Sequence, residues 1–510
     1  MKRNLPLAWS LTAFLPFLSP LPAEQPKSVE RWDVLELTLS GPSSGNPFVE
    51  VQLSARFTKG EETITVPGFY DGGGVYRVRF SPPDPGRWTY TTRSNQAELS
   101  GKDGSFEATA ATGDNHGPVR IRETFHLAYA DGTPFFQVGT TCYAWTHQTD
   151  ELQKQTLETL ATEPFNKLRM CVFPKSYRHN ANDPTTFPFA RAADGKAFDF
   201  ERFDPANWRH LEQRIGDLRK LGIEADLILF HPYDRWGFAE MDSEADDRYL
   251  RYAIARLSAY RNVWWSAANE YDFMIPPLRD GQRGNKRMED WDRILSILEK
   301  EDPHHRLRGI HHASKLYDHS KPWVTHVSVQ HRDPSQILKW RERFQKPVVL
   351  DECRYEGNIS ASWGKLTGPE MLRQFWVGTV CGGYVGHGET LRHPQDVLWW
   401  SKGGVLRGES PPRIAFLRKT MEALPYAEMT PARLGQSAFA LSKPGSVYLV
   451  YATAEGPVRL QMEGEREYEV DEIDTWNMSA RKLQPVKPGE FSFTAPHPDY
   501  LLRIRVPSQQ

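Results

Sequence analysis

Cysteine is scarce in this chain. Cys142, Cys171, Cys353 and Cys381 are the four that exist, and they lie far apart. That spacing is not the framework of a small disulfide-stapled scaffold, and it contains no Cys-x-x-Cys pair for zinc or redox cycling. Each cysteine sits in or just after an apolar run, where thiols pack as small hydrophobes. A single bridge between neighbouring strands stays open at this level. No His-Glu-x-x-His pattern occurs either, so no metal site and no cofactor are expected. An excess of one charge is missing too: 63 Lys and Arg stand against 65 Asp and Glu, a net charge of −2. That balance argues against a nucleic-acid partner, whose phosphates call for basic excess. The first apolar run of the central region, "PFFQVGTT", leads into "QVGTTCYAW", which lacks the glycine fingerprint of a dinucleotide fold. There is no internal repeat and no low-complexity tract.

Long apolar runs are also missing, with one exception. The N-terminus "MKRNLPLAWSLTAFLPFLSPLPAEQPK" places Lys2 and Arg3 before an apolar stretch from about Leu5, and Ala23 before a polar segment. This is the layout of a secretory signal peptide over residues 1–23, which predicts a secreted or periplasmic protein. The stretch is short for a membrane anchor and broken by prolines, and no other segment is apolar enough to span. The mature chain is therefore expected to carry no membrane span.

What the chain does contain is aromatic residues, 12% of the total, with 16 Trp. Trp fills cores, and it also offers flat faces on which sugar C–H groups stack. At 510 residues the chain exceeds one ordinary core. Its texture changes twice. From Val29 to Ala110, runs such as "FVEVQLSARF" and "GRWTYTTRS" alternate apolar and polar residues between turns such as "PPDPG", the pattern of a β-sandwich over residues 26–115. From Ile121, eight strand-like runs alternate with helical patterns. Asp204 and Pro205 open one helix, marked by Trp208, Leu211, Ile215 and Leu218; Trp291, Ile294, Leu295 and Leu298 mark another. The segment after the fifth run, "SKLYDHSKP", has the weakest helical pattern. Eight such units predict an α/β fold, a (β/α)8 TIM barrel over residues 121–425. From Thr430 the β pattern returns, predicting a C-terminal β-sandwich over residues 426–510.

In such a barrel the chemistry sits at the C-terminal ends of the strands. The fourth run, "NVWWSAA", ends in Asn269-Glu270, and the seventh, "KPVVLDE", ends in Asp351-Glu352. If these runs are strands four and seven, Glu270 and Glu352 face each other across the mouth. Two facing carboxylates are what glycoside hydrolysis requires. One protonates the departing oxygen and the other attacks or stabilises the anomeric carbon, with retention at a separation of roughly 5–5.5 Å. Asn269 fits as a donor to a sugar hydroxyl. Strand alternation turns Asp351 away from Glu352, so Asp351 reads as structural. Glu356 and Glu389 are rival carboxylates by position.

"WWSAANEYDF" followed by "PVVLDECRYEG" resembles glycoside hydrolase clan A. The resemblance implies that Glu270 is the acid/base, Glu352 the nucleophile and Asn269 the clan's preceding Asn. More narrowly, the chain is similar to a bacterial group of endoglucanase- or β-galactosidase-like proteins with an N-terminal sandwich, an apiosidase-like barrel and a C-terminal sandwich. "FYDGGGVYRVRFSPPDPGRWTY" carries that likeness, which covers nearly the whole mature chain. Apiosidases typically place Asp after strand four, so Glu270 departs toward ordinary clan A chemistry. The clan further implies an Arg that bonds the nucleophile, for which Arg169 is the candidate and Arg178 the alternative, and a His or Tyr after strand six, which maps to His331.

Other run ends supply candidate substrate contacts. Run three leads to His231, which either packs or touches substrate, and to Tyr233. Run eight leads to His387. Trp399 and Trp400 in a later Gly-rich loop, and Trp145 after run one, are candidate stacking platforms. The expected partner is a polysaccharide or oligosaccharide, and the expected activity is retaining β-glycosidase action on plant or algal glycans. The alternative is a non-catalytic carbohydrate-binding or surface-adhesion protein on a degenerate barrel.

Overall fold

The computed structural model describes residues 27–393 and 397–507. The expected signal peptide lies outside the described residues. The centre of the molecule is an eight-stranded parallel sheet closed almost completely into a barrel. Its strands are β1 (Val138–Thr141), β2 (Lys167–Cys171), β3 (Glu224–Phe230), β4 (Val263–Ala268), β5 (Arg308–Gly309), β6 (Val327–Gln330), β7 (Val348–Glu352) and β8 (Tyr384–His387). They pair in the order β5-β4-β3-β2-β1-β8-β7-β6. All seven residues of β3 and all six of β4 are buried, as expected of parallel strands covered on both faces.

The helices that cover the barrel follow the apolar spacing. They are α1 (Asp150–Leu160), α2 (Pro205–Lys220), α3 (Ser243–Leu257), α4 (Met288–Glu301), α5 (Ile337–Phe344), α6 (Gly368–Val380) and α7 (Ser410–Glu422). In α2 the Asp204 side chain accepts from Ala206 N–H and Pro205 opens the first turn. Trp208, Leu211, Ile215 and Leu218 all turn inward. Each such side chain contributes about 1.5–3 kcal/mol on burial, and Trp208→Ala would cost about 3–5 kcal/mol. In α6 Thr367 and Glu370 form a reciprocal capping box.

No helix joins β5 to β6, in keeping with the weak pattern of that segment. The barrel seam there has no ladder. Instead Thr325 N–H donates to Arg308 O (2.9 Å), and the Thr325 hydroxyl accepts from Arg308 N–H (2.7 Å). Gly309 is required at this seam, because a Cβ would come within 2.8 Å of the His326 ring.

Before the barrel, seven strands form one sheet, antiparallel except at one edge. One nine-residue strand, Glu62–Tyr70, bridges its two halves: Ser54–Lys59 pair with the first part of it, and Tyr76–Val78 pair with its end. Side chains from both halves meet in a single core, where Phe57 stacks on Phe80 at 4.1 Å. After the barrel, a six-stranded sheet and a two-stranded ribbon (Gly456–Met462 with Gly489–Ala495) share another core. Trp376 of α6 stacks on Tyr451 of that sheet. All four cysteines are buried free thiols. Among the described residues, no helix is long and apolar enough to cross a membrane.

Candidate active site

The mouth of the barrel is built at the ends of β4 and β7. Past β4 the chain is pinned on both sides. Asn269 N–H donates to Phe230 O of β3 (2.9 Å), and Tyr271 N–H donates to His311 O beyond β5 (3.0 Å). Between them Glu270 takes the left-handed conformation, φ +54° and ψ +52°, which a residue with a Cβ adopts only when its surroundings impose it. The consequence is functional. In a regular strand neighbouring side chains point to opposite faces, but here Asn269 and Glu270 turn to the same place. Asn269 Nδ2 donates to Glu270 Oε2 at 3.3 Å.

At β7 the expected alternation is broken: the register against β6 skips Asp351, so Asp351 and Glu352 both turn into the barrel, toward Lys167 and Arg169 of one face of β2. Asp351 accepts from Lys167 Nζ (2.7 Å) and Ser328 Oγ (2.6 Å). Glu352 sits at the mouth. Its Oε1 accepts from Arg169 Nη1 (3.0 Å) and from the Tyr143 hydroxyl, with His311 Nε2 at 3.7 Å. Arg169 Nη2 also donates to Asn269 Oδ1 (3.1 Å), and the Tyr143 oxygen lies 3.0 Å from that same atom. The two glutamates are thus tied through Asn269, Arg169 and Tyr143. On its other side Glu270 accepts from the Tyr233 hydroxyl.

Burial and charge favour the protonated form of Glu270. Burial pushes Glu270 up to about 7, and the negative charge of Glu352 pushes in the same direction; Lys175 and Tyr233 offset part of the rise. Arg169 stays protonated: burial works against its charge, but Tyr143, Asp351 and Glu352 outweigh that. His311 is held well below its ordinary value, first by burial and then by Arg169, and is neutral.

The remaining expected residues divide. Trp400 lies at the mouth in an aromatic cluster with Tyr143 (5.5 Å), Tyr177 (5.4 Å), Tyr355 (5.6 Å) and Trp363 (5.1 Å). Trp399 and Trp145 are not platforms. Both are buried, with Trp399 Nε1 on Thr140 Oγ1 and Trp145 Nε1 on Met170 Sδ. The ring of His331 does not reach the Glu352 carboxyl: it packs edge-on to Trp340 and bonds Asp333, and only the His331 backbone N–H reaches Glu352, at the carbonyl. The histidine beside Glu352 is His311, from β5 rather than β6. His231 packs, fully buried against Phe173 O. His387 is buried in the wall, stacked on Phe165 and bonded to Thr140. Arg178 is exposed.

Both rival carboxylates are consumed by backbone donors. Glu356 accepts from Glu409 N–H (2.6 Å) and Ser410 N–H (3.1 Å) at the start of α7. Glu389 accepts from Arg407 and Gly408 N–H. The mouth also holds six residues outside the set expected from the sequence: Tyr143, Lys175, Tyr177, His311, Tyr355 and Trp363. Tyr143 and His311 follow runs one and five directly, so a systematic reading of every run end would have found them. Trp363, 37% exposed on the loop after β7, carries no such signal. Among the described residues, no group of three His, Cys, Asp or Glu is placed to hold a metal ion.

The profile of the apiosidase-like catalytic domain matches residues 122–390, and that of a domain of unknown function, DUF5060, matches residues 28–95. A candidate glycoside hydrolase from Bacteroides vulgatus ATCC 8482 is 36% identical over 94% of this chain and 100% of its own, with a TM-score of 0.86. A family 5 glycoside hydrolase from the same organism is 14% identical over 77% of this chain and 94% of its own, with a TM-score of 0.60, a likeness of fold. No curated protein matches the chain.

Proposed function

The chain belongs to the apiosidase-like family, and from that premise we propose that it is a retaining glycoside hydrolase. It cleaves β-glycosidic bonds in plant or algal polysaccharide or in oligosaccharides derived from it. The observation that carries this reading is the unequal setting of two linked carboxyls. Glu270 keeps its proton up to about pH 7, while Glu352 faces two donors, one of them the Arg169 cation.

In the first step a Glu352 oxygen bonds to the anomeric carbon as the glycosidic C–O bond breaks. The Glu270 proton passes to the departing oxygen. In the second step the Glu270 carboxylate takes a proton from water, whose oxygen bonds to the anomeric carbon and releases Glu352. Asn269 spends one amide N–H on Glu270 and offers the other to a sugar hydroxyl. Trp400 and Trp363 supply apolar faces for stacking. Residues 26–115 and 426–510 act as sandwich supports around the catalytic barrel of residues 121–425. The apolar leader of residues 1–23 directs the chain to the periplasm or the exterior.

The test is turnover of a panel of aryl β-glycosides and plant and algal polysaccharides, with the anomer of the first product followed by proton NMR. Retention is expected, and Glu352→Gln is expected to lose about 10³-fold or more in kcat while its unfolding midpoint stays close to wild type. A wild-type protein that binds glycans without turning any over would instead be a binding protein.

A further inference from the structure

Three lysines are buried among the described residues: Lys167, Lys175 and Lys286. Two have the partners a buried cation needs. Lys167 sits between Asp226 and Asp351, and Lys286 sits on Asp246. Lys175 has none. Among the described residues its ammonium makes no ion pair and donates to no oxygen, yet it is only 2% exposed. It lies instead over aromatic faces, 3.4 Å from the ring centre of Tyr143, 4.4 Å from Tyr233, 4.8 Å from Tyr177 and 5.7 Å from Trp400.

Two of those rings bear the hydroxyls that hold the carboxyls: Tyr143 donates to Glu352 and Tyr233 to Glu270. We propose that Lys175 is a positioning residue of the hydrolase, an ammonium seated on Tyr143 and Tyr233 that sets how strongly their hydroxyls hold Glu352 and Glu270. The inference rests on the retaining-hydrolase reading above. A cation over a phenol face draws electron density from the ring, which makes the O–H a stronger donor. The same positive charge faces the anion that forms when Glu270 releases its proton, so its effect is greatest after proton transfer.

Burial lowers Lys175 from the ordinary lysine value, while Cys171, Glu270 and Glu352 oppose that, and the other titratable groups around it leave it as the cation that matters for Glu270. From β2, Cys171 is pushed up to about 11 by burial, and Arg169 is committed to Glu352 and Asn269. From β3, burial and Lys175 press His231 down to about 3. From β5, His311 is neutral. Asp272, beyond Glu270, is taken up by the backbone N–H groups of Ala313, Ser314 and Lys315.

The experiment compares the full chain with Lys175→Met, which keeps length without charge, and with Lys175→Arg, which keeps charge. Two readouts are followed: the alkaline limb of kcat/KM on the best aryl glycoside, and the titration of Glu270 by carboxyl infrared or carbon-13 NMR, assigned with Glu270→Gln. In Lys175→Met both are expected to move up by about one pH unit or more, with kcat falling about 10- to 100-fold and KM moving less. Lys175→Arg is expected to keep the wild-type titration. Should Lys175→Met fail to fold, Lys175→Gln carries the same readouts. A Glu270 titration unchanged in the charge-free variant of an active enzyme overturns this inference alone. A wild-type protein without turnover overturns the hydrolase reading.

Discussion

Glu270 shows what a single side chain owes to its surroundings. Its proton is held because the carboxyl is buried and faces Glu352, and this has a consequence for stability. The folded value near 7 stands above the unfolded value of about 4.3, so the native state binds the proton more tightly. The resulting stabilisation is complete below about pH 4 and is lost as pH rises through 7. Glu270→Gln is neutral at every pH. It is expected to match wild type in urea denaturation at pH 4 and to exceed it at pH 8 by on the order of 1 kcal/mol or more. A Gln variant less stable than wild type at pH 8 would contradict a costly buried anion. The position of Glu270 and Glu352 was legible in sequence because each closes an apolar run, and strand ends are where barrel chemistry sits. The company they keep was less legible. Tyr143 and Lys175 look in sequence like ordinary residues of "CYAW" and "FPKSY", and only their convergence from different strands shows what they touch.

At the scale of elements, the two strand ends solve one problem in different ways. β7 slips register against β6 at Asp351, so that Asp351 and Glu352 both turn into the barrel where the sequence pattern predicts opposite faces. β4 breaks alternation with a left-handed residue, and no residue type at 270 announces that: Glu is not a residue that favours φ above zero. Buried strands and amphipathic helices were readable because their periods are strong. β5, two residues long, was visible only as one run in a series of eight, and its seam with β6 depends on pairings remote in sequence. Glu356 marks the same boundary. By position it rivalled Glu352, whereas in the fold it caps α7. Glu356→Ala leaves the Glu409 and Ser410 N–H groups without their acceptor. It is expected to lower stability by about 1–3 kcal/mol while turnover per folded molecule stays close to wild type. Loss of activity on the scale of Glu352→Gln would return Glu356 to the list of catalytic candidates.

The whole molecule is joined by charge as well as by apolar packing. Asp71, from the N-terminal sheet, accepts from Arg77 of its own sheet (2.8 Å) and reaches Arg209 of α2 (3.0 Å) and Arg256 of α3 (2.8 Å). Arg79, also of that sheet, meets Glu212 of α2, which Arg256 holds from the other side at 2.5 Å. The three-part order of the chain was legible from the switch between period two and helical spacing, but this junction was not. Its members are scattered from position 71 to 256 and read singly as surface charges, yet the Arg256 side chain is 0% exposed. Burial works to raise the Asp71 carboxyl, but Arg256 and Arg77 outweigh it and hold it below the ordinary carboxylate range. A lowered folded value means that the stabilisation is present above about pH 4 and disappears as pH falls through the folded value. Asp71→Ala strips Arg256 of one of its two carboxylates inside the junction. It is expected to cost about 3–5 kcal/mol at neutral pH, because an incompletely paired buried cation remains. Calorimetry should then show the N-terminal sheet melting ahead of the barrel, and the gap between variant and wild type should close on acidification as Asp71 itself becomes protonated. An Asp71→Ala protein that melts in one transition at the wild-type temperature would mean that apolar contacts such as Phe48 with Tyr252 and Phe203 hold the two parts together unaided.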